Sequence, residues 1–320
     1  MSDTPTIRIP CPYALGATFS LQISPPQGEP FVAEAHVVHV YAPFTMSSVM
    51  KVALTSESTG TILPDEAVLK VYDRRFANDL RDHFDLEPPT YEAEAQYAEY
   101  LRSDRVLHTV AQNYEQADQF PDDSPEHVEI GQQLVAIHSK LCFESEKTAY
   151  SALSSLQGKH IPMFYGTTRF LDATLPGLDT TVPGVLVEFI PGTSLFQVDP
   201  SSIDLDAVCS GAVNIVDQYS DLNVLNRDVR LQIFIVRPSG SEVVMIDFGY
   251  CRLRREGEDD QVWGQTKRTE DEEGAVGYVV RNRFGWSYVP SDRYKVYADP
   301  TGQTIRWFDT GKWKTELICP

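Results

Sequence analysis

The feature that most constrains this chain is a change of hydrophobic period along its length. Residues 17–56 alternate apolar and polar positions, in ATFSLQIS, AEAHVVHVYAPF and SSVMKVALTS, broken by the turn-rich SPPQGEP. Such period-two runs read as strands. AVLKVYD at 67–73 is a further strand. From residue 74 to about 157 the period becomes helical. Candidate helices cover 91–114, about 126–142 and 143–157, the last with Glu146, Ala149, Tyr150, Leu153 and Leu156 three and four apart. Strands return at 160–170 and 184–190, PGTSL reads as a turn opening a helix with Ser194 as its cap, and 204–220 reads as a helix. FIV and EVVMID form a hairpin around RPSGS, EEGAVGYVVRNRF reads as the last helix, and the tail reads as a hairpin across Asp299–Gly302. Strands and helices that segregate in this way define an α+β fold in two lobes. The expected N-terminal lobe is 1–190, with strands 17–73, a helical insert 74–142, a helix 143–157 and strands 160–190. The expected C-terminal lobe is 191–320.

Charge narrows the function classes. There are 46 Asp and Glu against 27 Lys and Arg, a net of −19. A chain this acidic repels nucleic acid and anionic membrane surfaces on average. The charge is concentrated. Residues 82–129 hold 13 acidic residues and 2 arginines, and residues 254–273 hold 8 acidic and 4 basic residues. The first stretch is a candidate surface for a basic protein partner, with a solvated helical face as the plainer reading. No apolar run is long enough to span a membrane. The start, MSDTPTIRIP, lacks the basic and apolar regions of a secretory signal. The five cysteines are widely spaced, with no C-x-x-C pair. An intracellular location, cytoplasmic or nuclear, is therefore expected. His36 and His39 lie three apart on one strand, so they are expected on opposite faces, one in the core and one at the surface, unable to share a metal.

Three short segments carry chemistry. Ala67-Val68-Leu69-Lys70 puts a lysine on a buried strand. Asn226-Arg227-Asp228 follows a helix and precedes a hairpin strand. Asp247-Phe248-Gly249 follows a strand, 19 residues beyond Asp228. In this order they resemble the protein-kinase set V-A-I-K, H-R-D and D-F-G, over about residues 36–285. The strand VLKVYDRR is similar to that of a group of fungal kinase-like proteins. The resemblance implies a bilobal kinase-like fold with a truncated helical C-terminal lobe, and an ATP- and Mg²⁺-dependent phosphotransferase. Lys70 would hold the phosphates, Glu146 would hold Lys70 (with Glu144 as runner-up), and Asp247 would bind Mg²⁺. Asp228 would act on the acceptor hydroxyl and Arg230 would steady the transferring phosphate. Glu188, Phe189 and Ile190 would form the hinge beside adenine, with Val68 and Val187 as apolar walls.

The departures bear on activity. Ile233 stands where kinases carry a metal-binding asparagine, and a branched aliphatic offers no ligand atom. Gln232 replaces it only if the loop is one residue shorter. The glycine-rich loop is missing, and Thr45, Ser47 and Ser48 stand in its place. No A-P-E follows Asp247, and the remaining chain is short for a peptide-docking lobe. The acceptor is thus a protein or a small-molecule hydroxyl. The competing expectation is a pseudokinase that binds nucleotide or a protein partner without turnover.

Overall fold

The computed structural model describes residues 7–55, 64–121 and 124–297, together with the backbone of 306–309 and 312–315. The chain is an α+β protein that divides into two compact units. The first comprises Met1–Lys147 and Pro162–Phe189, the second Thr148–Ile161 and Ile190–Pro320.

The first unit is a closed antiparallel barrel with a helical insert. Its elements are β1 (Thr18–Ser24), β2 (Phe31–Val40), β3 (Ser48–Thr55) and β4 (Glu66–Val71), then α1 (Asn78–His83), α2 (Tyr91–Tyr100), α3 (Val110–Ala117) and α4 (Pro125–Ala152), then β5 (Phe164–Phe170) and β6 (Pro183–Glu188). The strands run in the order β1-β2-β3-β4-β6-β5, and β1 pairs with β5 to close the ring. Alternation along each strand sends one set inward: Leu21 and Ile23, Ala33 and Ala35, Met50 and Val52, Leu69 and Val71, with Phe170 and Leu186. The segment before β1 adds Tyr13 to this core, where its ring meets Phe19, Phe76 and Phe170. The Tyr13 hydroxyl donates to Asp73 at 2.8 Å, and Arg75 grips the same carboxylate through Nε at 2.9 Å and Nη2 at 2.6 Å. A buried charge is tolerated when paired and hydrogen-bonded in this way.

Four expectations change here. The helix expected over 91–114 is two helices, α2 and α3. Between them the Ser103 hydroxyl donates to Tyr100 O at 2.7 Å and accepts from Arg105 N at 3.3 Å, so the side chain offers the backbone a turn instead of a helix. The helices expected over 126–142 and 143–157 are one 28-residue helix, α4. No glycine, proline or capping residue interrupts Lys140-Leu-Cys-Phe-Glu, and buried positions continue through Val135, Cys142, Ala149 and Tyr150. The end of that helix, with residues to 161, belongs to the second unit, not to an N-terminal lobe ending at 190. Finally, His36 and His39 are both exposed, because a bulge between Val37 and His39 shifts the alternation of β2 by one.

The insert is tied down by polar side chains on α4. Gln132 Oε1 accepts from Arg74 at 3.2 Å and Arg81 at 3.1 Å, and Gln133 Oε1 accepts from Tyr97 at 2.6 Å. Thr90 and Thr109 cap α2 and α3. Asp82, Asp85, Glu92, Glu99, Glu115 and Asp118 are exposed.

The second unit contains β7 (Thr193–Ser194), α5 (Leu205–Asp221), β8 (Val224–Asn226), β9 (Phe234–Val236), β10 (Val243–Met245), β11 (Cys251–Leu253), α6 (Asp260–Glu270) and α7 (Glu272–Phe284). A last hairpin joins β12 (Arg306–Asp309) to β13 (Lys312–Thr315). Ser194 is not a helix cap. It lies in β7, which pairs with β9, and Asp204 caps α5 by accepting from Ala207 N at 3.0 Å. Gly192, at φ +150°, sits against Val236 O, where a Cβ would collide. The expected tail hairpin across Asp299–Gly302 lies outside the described residues, and Lys295–Tyr297 is a 3₁₀ turn, not a strand. No helix among the described residues is long and apolar enough to cross a membrane.

Candidate functional site

In the first unit, β4 lies between β3 and β6, with Lys70 opposite Val49 and Val185, and Val68 opposite Lys51 and Val187. Leu69 and Val71 face the barrel core, so Val68 and Lys70 face away from it, as do Val185 and Val187. Glu146 of α4 meets Lys70 on that side. Lys70 Nζ lies 2.9 Å from Oε1 and 2.6 Å from Oε2, and the Tyr72 hydroxyl also donates to Oε2. Glu146 is fully buried and Lys70 is 8% exposed. Glu144 instead pairs with Lys147 one turn along the helix.

The expected nucleotide contacts fare unevenly. The Glu188 amide donates to Met163 O at 2.8 Å and its carboxylate accepts from Met163 N at 3.0 Å, so that amide is engaged by the sheet. Phe189 is half-buried and carries the Lys51 ammonium 4.0 Å above its ring, while Lys51 also pairs with Glu66 at 2.7 Å. Ile190 is buried and belongs to the second unit. Thr45 is exposed, and its carbonyl accepts from Asp79 N at 3.2 Å, which fastens the β2–β3 loop to α1. Ser47 and Ser48 are buried, and Ser48 lies on the core side of β3.

In the second unit, β8 ends at Asn226 and pairs with β11, so that Cys251 stands opposite Asn226. The Asn226 side chain organises the two motifs. Its Nδ2 donates to Asp247 O at 3.2 Å, and its Oδ1 accepts from Asp228 N at 2.9 Å. Asp228 is half-buried, with Arg230 Nη2 at 3.1 Å from its Oδ2. Asp247 has φ +70°, a left-handed backbone that a non-glycine residue adopts at a cost. Its Oδ1 accepts from Gly249 N at 3.4 Å. Phe248 is fully buried and stands edge-on to Tyr150 at 5.2 Å.

Ile233 is 3% exposed, and its carbonyl accepts from Ile246 N at 2.7 Å. It is a packing residue that ties the segment after Arg230 to the strand before Asp247. Gln232 is exposed. The residues present therefore fit one metal-binding carboxylate, Asp247, without the usual amide partner. Among the described residues no three His, Cys, Asp or Glu side chains gather as a ready metal cage.

The acidic run at 254–273 conceals a group that sequence reasoning missed. Glu272, at the start of α7, is buried together with Lys267 of α6, and the two form an ion pair. Glu272 Oε1 also accepts from Asn226 N at 2.7 Å and from the Tyr219 hydroxyl at 2.8 Å. Lys267 donates to Val224 O at 3.2 Å and faces the rings of Tyr219 and Trp263. Burial pushes the Glu272 carboxyl up and the Lys267 ammonium down, each opposed by its partner. The sequence signal was slight: an acidic residue five positions after a lysine, followed by the apolar pattern of α7. Comparison with protein-family models and with curated proteins finds no match.

Proposed function

We propose that the chain is a phosphotransferase of kinase-like architecture that uses ATP and Mg²⁺. The observation that carries this reading is the buried Lys70–Glu146 pair, a strand lysine held by a helix carboxylate, which is the arrangement kinases use on nucleotide phosphates. Further support comes from Asp247, whose left-handed backbone is an outlier at the position the chemistry needs. Lys70 holds the phosphates and Glu146 orients it. Asp247 holds metal, Asp228 accepts the acceptor's proton, and Arg230 steadies both Asp228 and the transferring group. When bound, ATP would supply the phosphoryl group, with ADP as the leaving group, and Mg²⁺ would offset the phosphate charge. The closed barrel departs from the open sheet of a typical kinase N-terminal lobe, and the closure is the work of β1.

A second reading is a pseudokinase that binds nucleotide without transfer. Ile233 favours it, because that side chain belongs to the core and offers no metal ligand. The test is thermal stability with and without Mg-ATP, followed by transfer of radiolabelled phosphate. The phosphotransferase reading expects a higher melting temperature with Mg-ATP, and label transfer that Asp228→Asn abolishes without loss of nucleotide binding. Stabilisation by ATP that needs no metal, with no transfer, would favour the pseudokinase. No stabilisation at all overturns both.

A further inference from the structure

Glu146 serves two donors from one strand end. Lys70 reaches both of its oxygens, and the Tyr72 hydroxyl donates to Oε2. Tyr72 lies two residues beyond Lys70, so the alternation of the chain sends both side chains to the same side. Its backbone is fixed there, because Tyr72 N donates to Pro183 O at 3.0 Å. The Tyr72 ring stands edge-on to Phe143 at 5.6 Å, and Phe143 is three residues before Glu146 on α4. Tyr72 thus holds α4 at two points, by its ring and by its hydroxyl. All three polar groups are buried. The kinase resemblance assigns no phenol to this position.

We infer that Tyr72 is a positioning residue that divides the charge of Glu146, so that Lys70 keeps part of its own charge for an anionic ligand. A buried carboxylate must have its oxygens satisfied. With the phenol in place, one oxygen is shared between two donors, and charge-assisted bonds of this kind are strong where water is excluded. Without it, more of the carboxylate's charge falls on Lys70 and holds the ammonium harder, leaving less for phosphate. That the ligand is a triphosphate rests on the function proposed above; the division of charge does not.

The experiment replaces one oxygen. Tyr72→Phe keeps the ring against Phe143 and removes the donor. Lys70 is acylated with an amine-directed reagent across the alkaline range, without nucleotide, and its labelling is followed by peptide mass spectrometry. The expected result is a labelling midpoint raised by about one pH unit, or about tenfold slower labelling at fixed pH. Mg-ATP affinity falls by a comparable factor, and melting shifts by a few degrees. Tyr72→Leu, which also removes the donor while keeping an apolar side chain, gives the same comparison if Tyr72→Phe folds poorly. A labelling profile that superimposes on that of the unaltered protein overturns the inference. A shifted profile in a protein that never binds Mg-ATP would leave the role of Tyr72 standing and remove the nucleotide reading, so the two fail separately.

Discussion

Each unit buries a lysine–glutamate pair, and the two are built differently. Lys70 and Glu146 are 76 residues apart, on a strand and a helix, and the lysine side chain keeps about a tenth of its surface exposed. Lys267 and Glu272 are five residues apart across one helix junction, and both are almost sealed. The first pair lies on the barrel's outer face, where Val185 stands opposite Lys70 in register. The second is walled by Tyr219 and Trp263 and touches backbone on two sides, Val224 O and Asn226 N. The same two residue types therefore do different work. A pair at the margin of solvent can exchange partners with a ligand. A sealed pair that also binds backbone can only hold a loop in place.

That contrast can be broken in order of expected effect. Lys267→Met leaves Glu272 buried without its counter-charge, and stripping one member of a buried pair costs about 3–5 kcal/mol. Lys70→Met should cost less, about 1.5–3 kcal/mol, because the Tyr72 hydroxyl still satisfies Glu146; it should also remove Mg-ATP stabilisation. Denaturant unfolding of both variants checks the ranking, and equal losses would mean that the two pairs are equivalent. A joint Lys267→Met and Glu272→Leu variant should be more stable than Lys267→Met alone.

Asp247→Gly separates site from scaffold. Glycine relieves a left-handed backbone worth about 1–2 kcal/mol to an L-residue and gives up the side chain's bond to Gly249 N. Stability should hold or rise while Mg-dependent nucleotide binding is lost. A fall in melting temperature would show that the Asp247 side chain holds the fold.

The smallest effect is a pH dependence in the first unit. Burial, helped by the neighbouring His83, holds the His138 imidazole below its ordinary range. The unfolded chain then binds a proton more readily than the folded one. Stability should be unaffected above about pH 6.5 and should decline as pH falls below it. His138→Phe flattens that decline; an unchanged slope assigns it elsewhere, His160 of the second unit being the next candidate because burial lowers it too.

Much of the barrel is legible in the sequence because each strand carries its own alternation, from Phe19 to Ile23 and from Ala67 to Val71. Lys70 stands out as the one cation in that last run, and Glu146 as the carboxylate on the face of Tyr150. The rest had no local signal. Closure of the ring depends on the register of Leu21 with Phe170, which no window of neighbouring residues encodes. Tyr72 reads as one more aromatic in a strand, and only the approach of α4 makes it a donor. Glu272 is one of four consecutive acidic residues, Glu270 to Glu273, and only burial singles it out. The bulge that turns His39 outward changes a count by one residue, which patterning cannot detect.

The closure of the barrel also sets an order of assembly. Strands β1 and β5 meet across about 150 positions of chain, and contacts that distant form slowly because loop-closure entropy must be met first. During synthesis, β1 to β4 emerge as an open four-stranded sheet with two bare edges. Helix α4 is local and can form at once, while the edges wait for residues 164–188 to leave the ribosome. Over that interval β1 and β4 are available to any other extended strand, so the nascent chain is at its most aggregation-prone just before the ring shuts.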